Sequence, residues 1–127
     1  EQLPEPLPPG VRRFDYAPLA PLLPRTAGTI HHGGIGTTAR ALASGKPQLV
    51  IPFGFDQYDN GARIQQLGLG EMLPAAKFDE TKLPGLLRQL TDNGAWLANA
   101  QTVAARCTDH GLTEIATGLE RIAGISA

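Results

Sequence analysis

The residues best suited to chemistry lie at positions 29–41, which read TIHHGGIGTTARA. The β-branched residues Thr29 and Ile30 lead into a glycine-rich turn, and two threonines then open a run of helix-forming residues. The first turn of a helix has unpaired backbone N–H groups and carries the positive end of the helix dipole. Glycines let an anion approach the backbone closely. This strand, loop and helix N-terminus therefore predict a cradle for the diphosphate of a nucleotide-linked substrate.

Two side chains beside this loop strengthen the prediction. The ring N–H of His32 and the hydroxyl of Thr37 can each donate a hydrogen bond to a phosphate oxygen. Gly34 and Gly36 would let that phosphate reach the backbone. The alternative is a plain strand-to-helix turn, because paired glycines are frequent in tight turns.

Two common nucleotide-binding motifs do not fit this loop. A Walker loop needs Ser or Thr after its Gly-Lys pair, and here Lys46 is followed by Pro47. The dinucleotide motif G-x-G-x-x-G also fails, because Gly34 and Gly36 are followed by Ala39 in the position of the third glycine. The loop therefore belongs to neither class.

A second polar pair, Asp56 and Gln57, follows an apolar segment and a glycine. A carboxylate accepts hydrogen bonds from two hydroxyls, and an amide both donates and accepts, so this pair suits the vicinal diol of a sugar. One alternative is a helix N-cap at Asp56 or Asp59. A glycosidase pair formed by the same two acids is a weaker alternative, because the phosphate loop favours a nucleotide donor.

The histidines do not predict a metal site. His31 and His32 are adjacent on a predicted strand, so their side chains point to opposite faces, and His110 lies far along the chain. We interpret His31 as a packed or hydrogen-bonded histidine. No metal and no cofactor are expected.

Composition excludes several classes of protein. The 127 residues have a formal net charge of −1 and no basic run, which argues against a nucleic-acid surface. The single Cys107 allows no internal disulfide, which favours a reducing compartment, and we expect it to be a small buried side chain. No apolar run approaches the roughly 18 to 20 residues of a membrane span. These features predict a cytoplasmic protein, with peripheral membrane association left open.

The pattern of apolar residues predicts an α/β fold. Residues 1–10 hold four prolines and are expected to form an arm or linker. Strands are predicted at 11–16, 27–32, 48–52 and 69–73, and helices at 37–44 and from the loop at 53–60 to about 67. Strands that alternate with helices form a parallel sheet, so the loops at 17–21, 33–37 and 54–60 should gather at one edge.

The C-terminal part is predicted to be helical. A stripe of leucines at helical spacing is interpreted as core, with Asp79 as the N-cap of its helix; the stripe consists of Leu83, Leu86, Leu87 and Leu90. Asn93 and Gly94 should break this helix. Further helices are predicted at 95–109 and 113–123, and the second of these has Ile115, Leu119 and Ile122 on one face.

Taken together, these motifs resemble the donor-binding half of family 1 glycosyltransferases, a group that includes UDP-glucuronosyltransferases and antibiotic glycosyltransferases. The resemblance runs from residue 11 to the end and rests on HHGG-x-GT, an apolar strand, P-x-x-x-DQ and N-x-A-R in this order. The bacterial branch with HHGG-x-GTT, which includes rhamnosyltransferases of glycolipid synthesis, is most similar.

The resemblance implies a GT-B enzyme whose C-terminal Rossmann-like domain binds a UDP- or dTDP-linked sugar without a metal. His32, Gly34, Gly36 and Thr37 would contact the diphosphate, and Asp56 and Gln57 the sugar. The base would lie at Tyr16, Ala17 and Pro18. Many members have Gln after that proline, whereas this chain has Leu19.

The resemblance also implies missing parts. The family's catalytic histidine belongs to an N-terminal acceptor domain that nothing in these residues matches, and the early strands of the donor domain are absent too. We therefore expect 11–127 to be an incomplete donor domain, without a catalytic residue, of an inverting enzyme that transfers a hexose to a hydroxyl of a small-molecule or lipid acceptor.

The missing strands predict a core sheet built from the strands near 28, 48 and 70, with residues 11–16 either paired beside the first strand or displaced. An unpaired sheet edge would invite a homodimer, which sedimentation at high concentration would test.

Two other functions are compatible with the same motifs. The same fold would serve as a non-catalytic nucleotide-binding module or regulatory subunit, which the upstream coding sequence would distinguish. A third hypothesis is an epimerase or phosphorylase of the same architecture.

Overall fold

The computed structural model describes residues 6–107 and 110–124. The N-terminal half contains helix α1 (Leu19–Leu22), a 3₁₀ turn (Leu23–Arg25), strand β1 (Thr29–His31), helix α2 (Ile35–Ser44) and strand β2 (Gln48–Val50). Next come helix α3 (Gln57–Gln66), strand β3 (Gly70–Met72) and a second 3₁₀ turn (Ala75–Lys77). Helices α4 (Leu83–Asp92), α5 (Gly94–Ala104) and α6 (His110–Ala123) complete the order. The predicted α/β class is confirmed.

The sheet has three parallel strands in the order β1-β2-β3. All three residues of the central strand β2 are buried, as expected for a parallel strand covered on both faces. The hydrophobic core cluster includes one residue of this strand and consists of Val50, Ile64, Leu69 and Ala100. The predicted core sheet is therefore confirmed.

The strand predicted at 11–16 is wrong. These residues form no strand, and Phe14 and Tyr16 are 71 % and 82 % exposed. The alternation in this segment is interrupted by Arg12 and Arg13, so it offers no continuous apolar face to a sheet. The segment is displaced, and β1 pairs only with β2 in the described part of the chain. Pairing of this free edge with a second chain stays a prediction.

Helix α2 begins at Ile35, two positions before the predicted start at Thr37. Gly34 is the extended N-cap residue, and its carbonyl accepts hydrogen bonds from the backbone N–H and the hydroxyl of Thr38. The predicted C-terminus is confirmed, because Gly45 adopts the left-handed conformation with φ of 67°. Thr37 is therefore the third residue of the helix.

Three predictions in the C-terminal half need correction. Asp79 does not cap α4, because its Oδ1 accepts from the N–H and hydroxyl of Thr81 in the preceding turn, and the N-cap position is Lys82. Helix α5 ends at Ala104 instead of near 109. Cys107 therefore lies after the helix and is exposed, so its prediction as a small buried side chain is wrong. Asn93 breaks the chain as predicted, and its side chain also caps α5.

The apolar stripes of the last helices are only partly covered. In α4, Leu90 is buried and packs against Gly28, while Leu87 is exposed. The face of α6 that carries Ile115, Leu119 and Ile122 is exposed. Among the described residues, no helix has the length and apolar character needed to cross a membrane.

Candidate functional site

The loop after β1, called here the glycine loop (residues 33–37), is built around Gly33. This residue has φ of 90°, a conformation that favours glycine. A Cβ atom on it would lie 2.8 Å from Val50 Cγ1 and 2.9 Å from the carbonyl oxygen of Gln57. Only glycine therefore fits between β2 and the start of α3. The sequence prediction used Gly34 and Gly36 and missed the role of Gly33.

His31 holds the same loop from the strand side. Its Nδ1 accepts a hydrogen bond from the Gly33 N–H at 3.1 Å, and its Nε2 lies 2.9 Å from Oε1 of Gln48, which is 1 % exposed. Because Nδ1 accepts, the proton belongs on Nε2, which donates to Gln48. The interpretation of His31 as a hydrogen-bonded histidine is confirmed.

The surroundings of His31 keep its imidazole neutral. Burial lowers its pKa below the ordinary value of 6.5, and the nearby His32 lowers it further, while the hydrogen bond to Gln48 acts in the opposite direction. A neutral ring is required here, since a protonated Nδ1 could not accept from the Gly33 N–H.

His32 lies on the exposed side of the same loop. Its ring lies against Gly34: a Cβ atom on that glycine would be only 2.6 Å from His32 Nε2. Gly36 has open space around it, and Gly34, the N-cap residue of α2, has no side chain that could occupy the N–H groups of the first turn. The first turn of α2 therefore presents its N–H groups beside an exposed imidazole and the hydroxyl-bearing Thr37. The structure brings these four predicted residues together, and their contact with a diphosphate stays a prediction.

The loop after β2, called here the DQ loop (residues 53–60), places Asp56 at the N-terminus of α3. Asp56 is the N-cap residue of α3, as the N-cap alternative predicts, but its carboxylate makes no capping hydrogen bond. Gln57 uses its Oε1 to accept from the N–H groups of Phe53 and Gly54, at 2.9 and 3.3 Å. These two bonds close the turn. Because Oε1 is already hydrogen-bonded, Gln57 would interact with a ligand through its amide nitrogen, which is a donor.

The same loop carries strained and exposed aromatic residues. Phe55 adopts φ of 55°, an uncommon conformation for a residue with a side chain, and is 97 % exposed. Phe53 is also exposed. Strain of this kind persists only where the surrounding structure imposes it, and it is concentrated at functional sites.

Asn60 joins the two loops. Its Nδ2 donates to the Gly33 carbonyl at 2.9 Å and lies 3.3 Å from Asp56 Oδ2. Asn60 belongs to the N-x-A-R motif, but the motif alone predicts no separate role for it. The prediction that loops gather at one edge is confirmed for these two.

The predicted base-binding residues Tyr16, Ala17 and Pro18 line a cavity of about 320 Å³. Phe14, Pro21, Leu22 and Arg25 complete its lining, and neither the glycine loop nor the DQ loop contributes to it. The cavity offers aromatic and apolar walls with one cationic side chain, which suits a planar base. Among the described residues, no cluster of three His, Cys, Asp or Glu side chains offers a metal site.

Sequence comparison assigns residues 2–122 to the family described as Erythromycin biosynthesis protein CIII-like, C-terminal domain. The chain belongs to this family. The elloramycin glycosyltransferase of Streptomyces olivaceus is 47 % identical over 83 residues, which cover 65 % of this chain and 21 % of that protein. The aklavinone 7-beta-L-rhodosaminyltransferase of Streptomyces galilaeus is 38 % identical over 99 residues, 78 % of this chain and 22 % of its own length.

Solved structures confirm the fold of this EryCIII-like domain. The crystal structure of the glycosyltransferase VinC in complex with dTDP matches with a TM-score of 0.81 and 28 % identity, over 92 % of this chain and 31 % of that one. The chain therefore has the fold of part of a GT-B glycosyltransferase and spans only about a fifth of the length of the two relatives named above. Similarity to the rhamnosyltransferase branch stays a prediction.

Proposed function

We propose that this chain binds the nucleotide-sugar donor of an inverting glycosyltransferase, which transfers a hexose from UDP or dTDP to a hydroxyl of a small-molecule or lipid acceptor. The observation that carries the proposal is the open N-terminus of α2, where His32 and Thr37 lie beside unpaired N–H groups and the glycine loop contacts the DQ loop. The fold supports it, because a structural relative was solved with dTDP.

The arrangement explains how the chain would assist the reaction. Displacement at the anomeric carbon builds negative charge on the departing diphosphate. The N–H groups of α2, the helix dipole, His32 and Thr37 would stabilise that charge from fixed positions. No metal is needed for this role.

Sugar and base would occupy the two ends of the donor. Asp56 would accept from sugar hydroxyls, and the amide nitrogen of Gln57 would donate to one of them. The base would enter the cavity at Tyr16, Ala17 and Pro18. Proton removal from the acceptor would fall to a histidine outside this chain, so the chain alone would bind nucleotide weakly and transfer nothing. We place this function in the cytoplasm, with peripheral association at a membrane where the acceptor is a lipid.

Calorimetric titration of UDP, dTDP and their glucose conjugates tests this proposal. Thr37→Ala removes a hydroxyl that would donate to a charged phosphate, so we expect diphosphate affinity to fall about tenfold or more. Thr102→Ala is the matched control, because the hydroxyl of Thr102 donates to the carbonyl of Ala98 within α5. Equal affinities in wild type and Thr37→Ala would refute the assignment of the glycine loop.

A further inference from the structure

We infer that Asn60 is a positioning residue that couples the diphosphate-binding loop to the sugar-binding carboxylate. Asn60 lies in the first turn of α3 and is half-buried. Its amide nitrogen reaches Gly33, 27 positions earlier in the chain, and Asp56 one helical turn before it. The inference rests on the proposed function and adds a residue to it that touches neither diphosphate nor sugar.

The chemistry of this contact requires an amide. The Asn60 nitrogen carries two hydrogens and meets two acceptors, the Gly33 carbonyl at 2.9 Å and Asp56 Oδ2 at 3.3 Å. Each hydrogen can serve one acceptor. Aspartate has the same size at this position, but its carboxylate would face a carbonyl oxygen and a second carboxylate. A side chain of the same size but without two N–H donors therefore cannot replace Asn60 here.

Both partners depend on this contact for their orientation. Gly33 is held at its N–H by His31 and at its carbonyl by Asn60, so loss of Asn60 releases the peptide group that joins Gly33 to Gly34. Asp56 makes no capping bond, and in the described part of the chain its carboxylate accepts a hydrogen bond from Asn60. A group held in its binding orientation loses less freedom when the ligand arrives. Asn60 therefore prepares both loops at once.

The coupling predicts a specific pattern of affinities. We define the sugar increment as the ratio of the dissociation constants of free UDP and UDP-glucose, with dTDP and dTDP-glucose measured in parallel. Asn60→Ala should weaken UDP severalfold and should also reduce the sugar increment as much as Asp56→Ala does. The double variant should lose no more of the increment than either single variant, because both changes remove one coupled unit. Asn60→Asp should lose at least as much as Asn60→Ala.

The chain offers a matched control in Asn99, whose Nδ2 donates to the carbonyl of another glycine, Gly68, at 3.1 Å. Asn99→Ala removes the same kind of bond far from both loops and should leave both affinities unchanged. Thermal unfolding of every variant separates loss of binding from loss of folding.

An NMR measurement on the wild-type chain needs no variant. Both side-chain amide protons of Asn60 should shift when UDP is added and shift again with UDP-glucose, while those of Asn99 stay in place. Unshifted Asn60 protons would overturn the inference.

The outcomes distinguish the inference from the proposed function. If Asp56→Ala loses the sugar increment and Asn60→Ala keeps it, Asn60 has no positioning role and the proposed function stands. If Thr37→Ala and Asp56→Ala both bind every nucleotide like wild type, the proposed function fails and the coupling fails with it.

Discussion

The glycine loop and the DQ loop follow neighbouring strands, yet they are built in opposite ways. Gly33 is enclosed by β2 and α3 and hydrogen-bonded at both its N–H and its carbonyl. The DQ loop has two exposed phenylalanines, and one of them is in a strained conformation. A diphosphate is the same in every donor of this type, whereas the sugar differs. Under the proposed function, the enclosed glycine loop would hold this constant part, and the DQ loop would face the variable part.

The enclosure of Gly33 gives the largest expected effect. Gly33→Ala places a Cβ atom against Val50 and the Gln57 carbonyl at a φ of 90°, so we expect the free energy of unfolding to fall by about 2 to 4 kcal/mol. Gly36→Ala is the control, because that position lies in α2 and has open space. We expect this change to raise the free energy of unfolding by up to about 1 kcal/mol. Urea unfolding followed by circular dichroism measures both. Similar stabilities in the two variants would remove the contrast between enclosed and open glycines.

The strain at Phe55 gives a smaller effect of opposite sign. Phe55→Gly relieves the positive φ and loses almost no burial, so we expect a gain of about 1 kcal/mol after the larger chain entropy of glycine is counted. Phe53→Gly is the matched control: Phe53 is also exposed, but its φ is not positive, and the change should destabilise the chain slightly. A loss of stability in Phe55→Gly equal to that in Phe53→Gly would show that the DQ loop stores no strain.

The hydrogen-bonded His31 gives the smallest effect, which depends on pH. Burial lowers its pKa below 6.5, so under more acidic conditions the unfolded chain binds a proton that the folded chain does not. The contribution of His31 to stability is fully present at a pH above its ordinary pKa of 6.5. It is lost as the pH falls through the lower pKa that His31 has in the folded state. Unfolding free energies measured from about pH 7 to about pH 5 should therefore decrease, and less steeply in His31→Gln than in the wild-type chain. Parallel curves for His31→Gln and the wild type would argue against a neutral His31.

The sequence predicted the sheet and the glycine loop because their signals are local. The buried apolar run at β2 and the glycine at the end of α2 each determine an element without help from distant residues. The prediction of a strand at 11–16 was wrong, because an imperfect alternation of apolar residues does not show whether the segment has a sheet edge to pair with. Asn60 and the tautomer of His31 depend on contacts with Gly33 and Gln48, and the bonds from Asn60 and to Gln48 span 27 and 17 positions. Residue types alone do not reveal contacts of that range.

The exposed aromatic pair in the DQ loop also bears on how such a site can diversify. Phe53 and Phe55 contribute little to the buried core, so most replacements there leave the fold intact. The same replacements change the surface beside Asp56. Under the proposed function, a library with these two positions randomised and with Gly33 and Asn60 kept should consist mostly of folded members, and it would show whether the side chains beside Asp56 change the sugar preference.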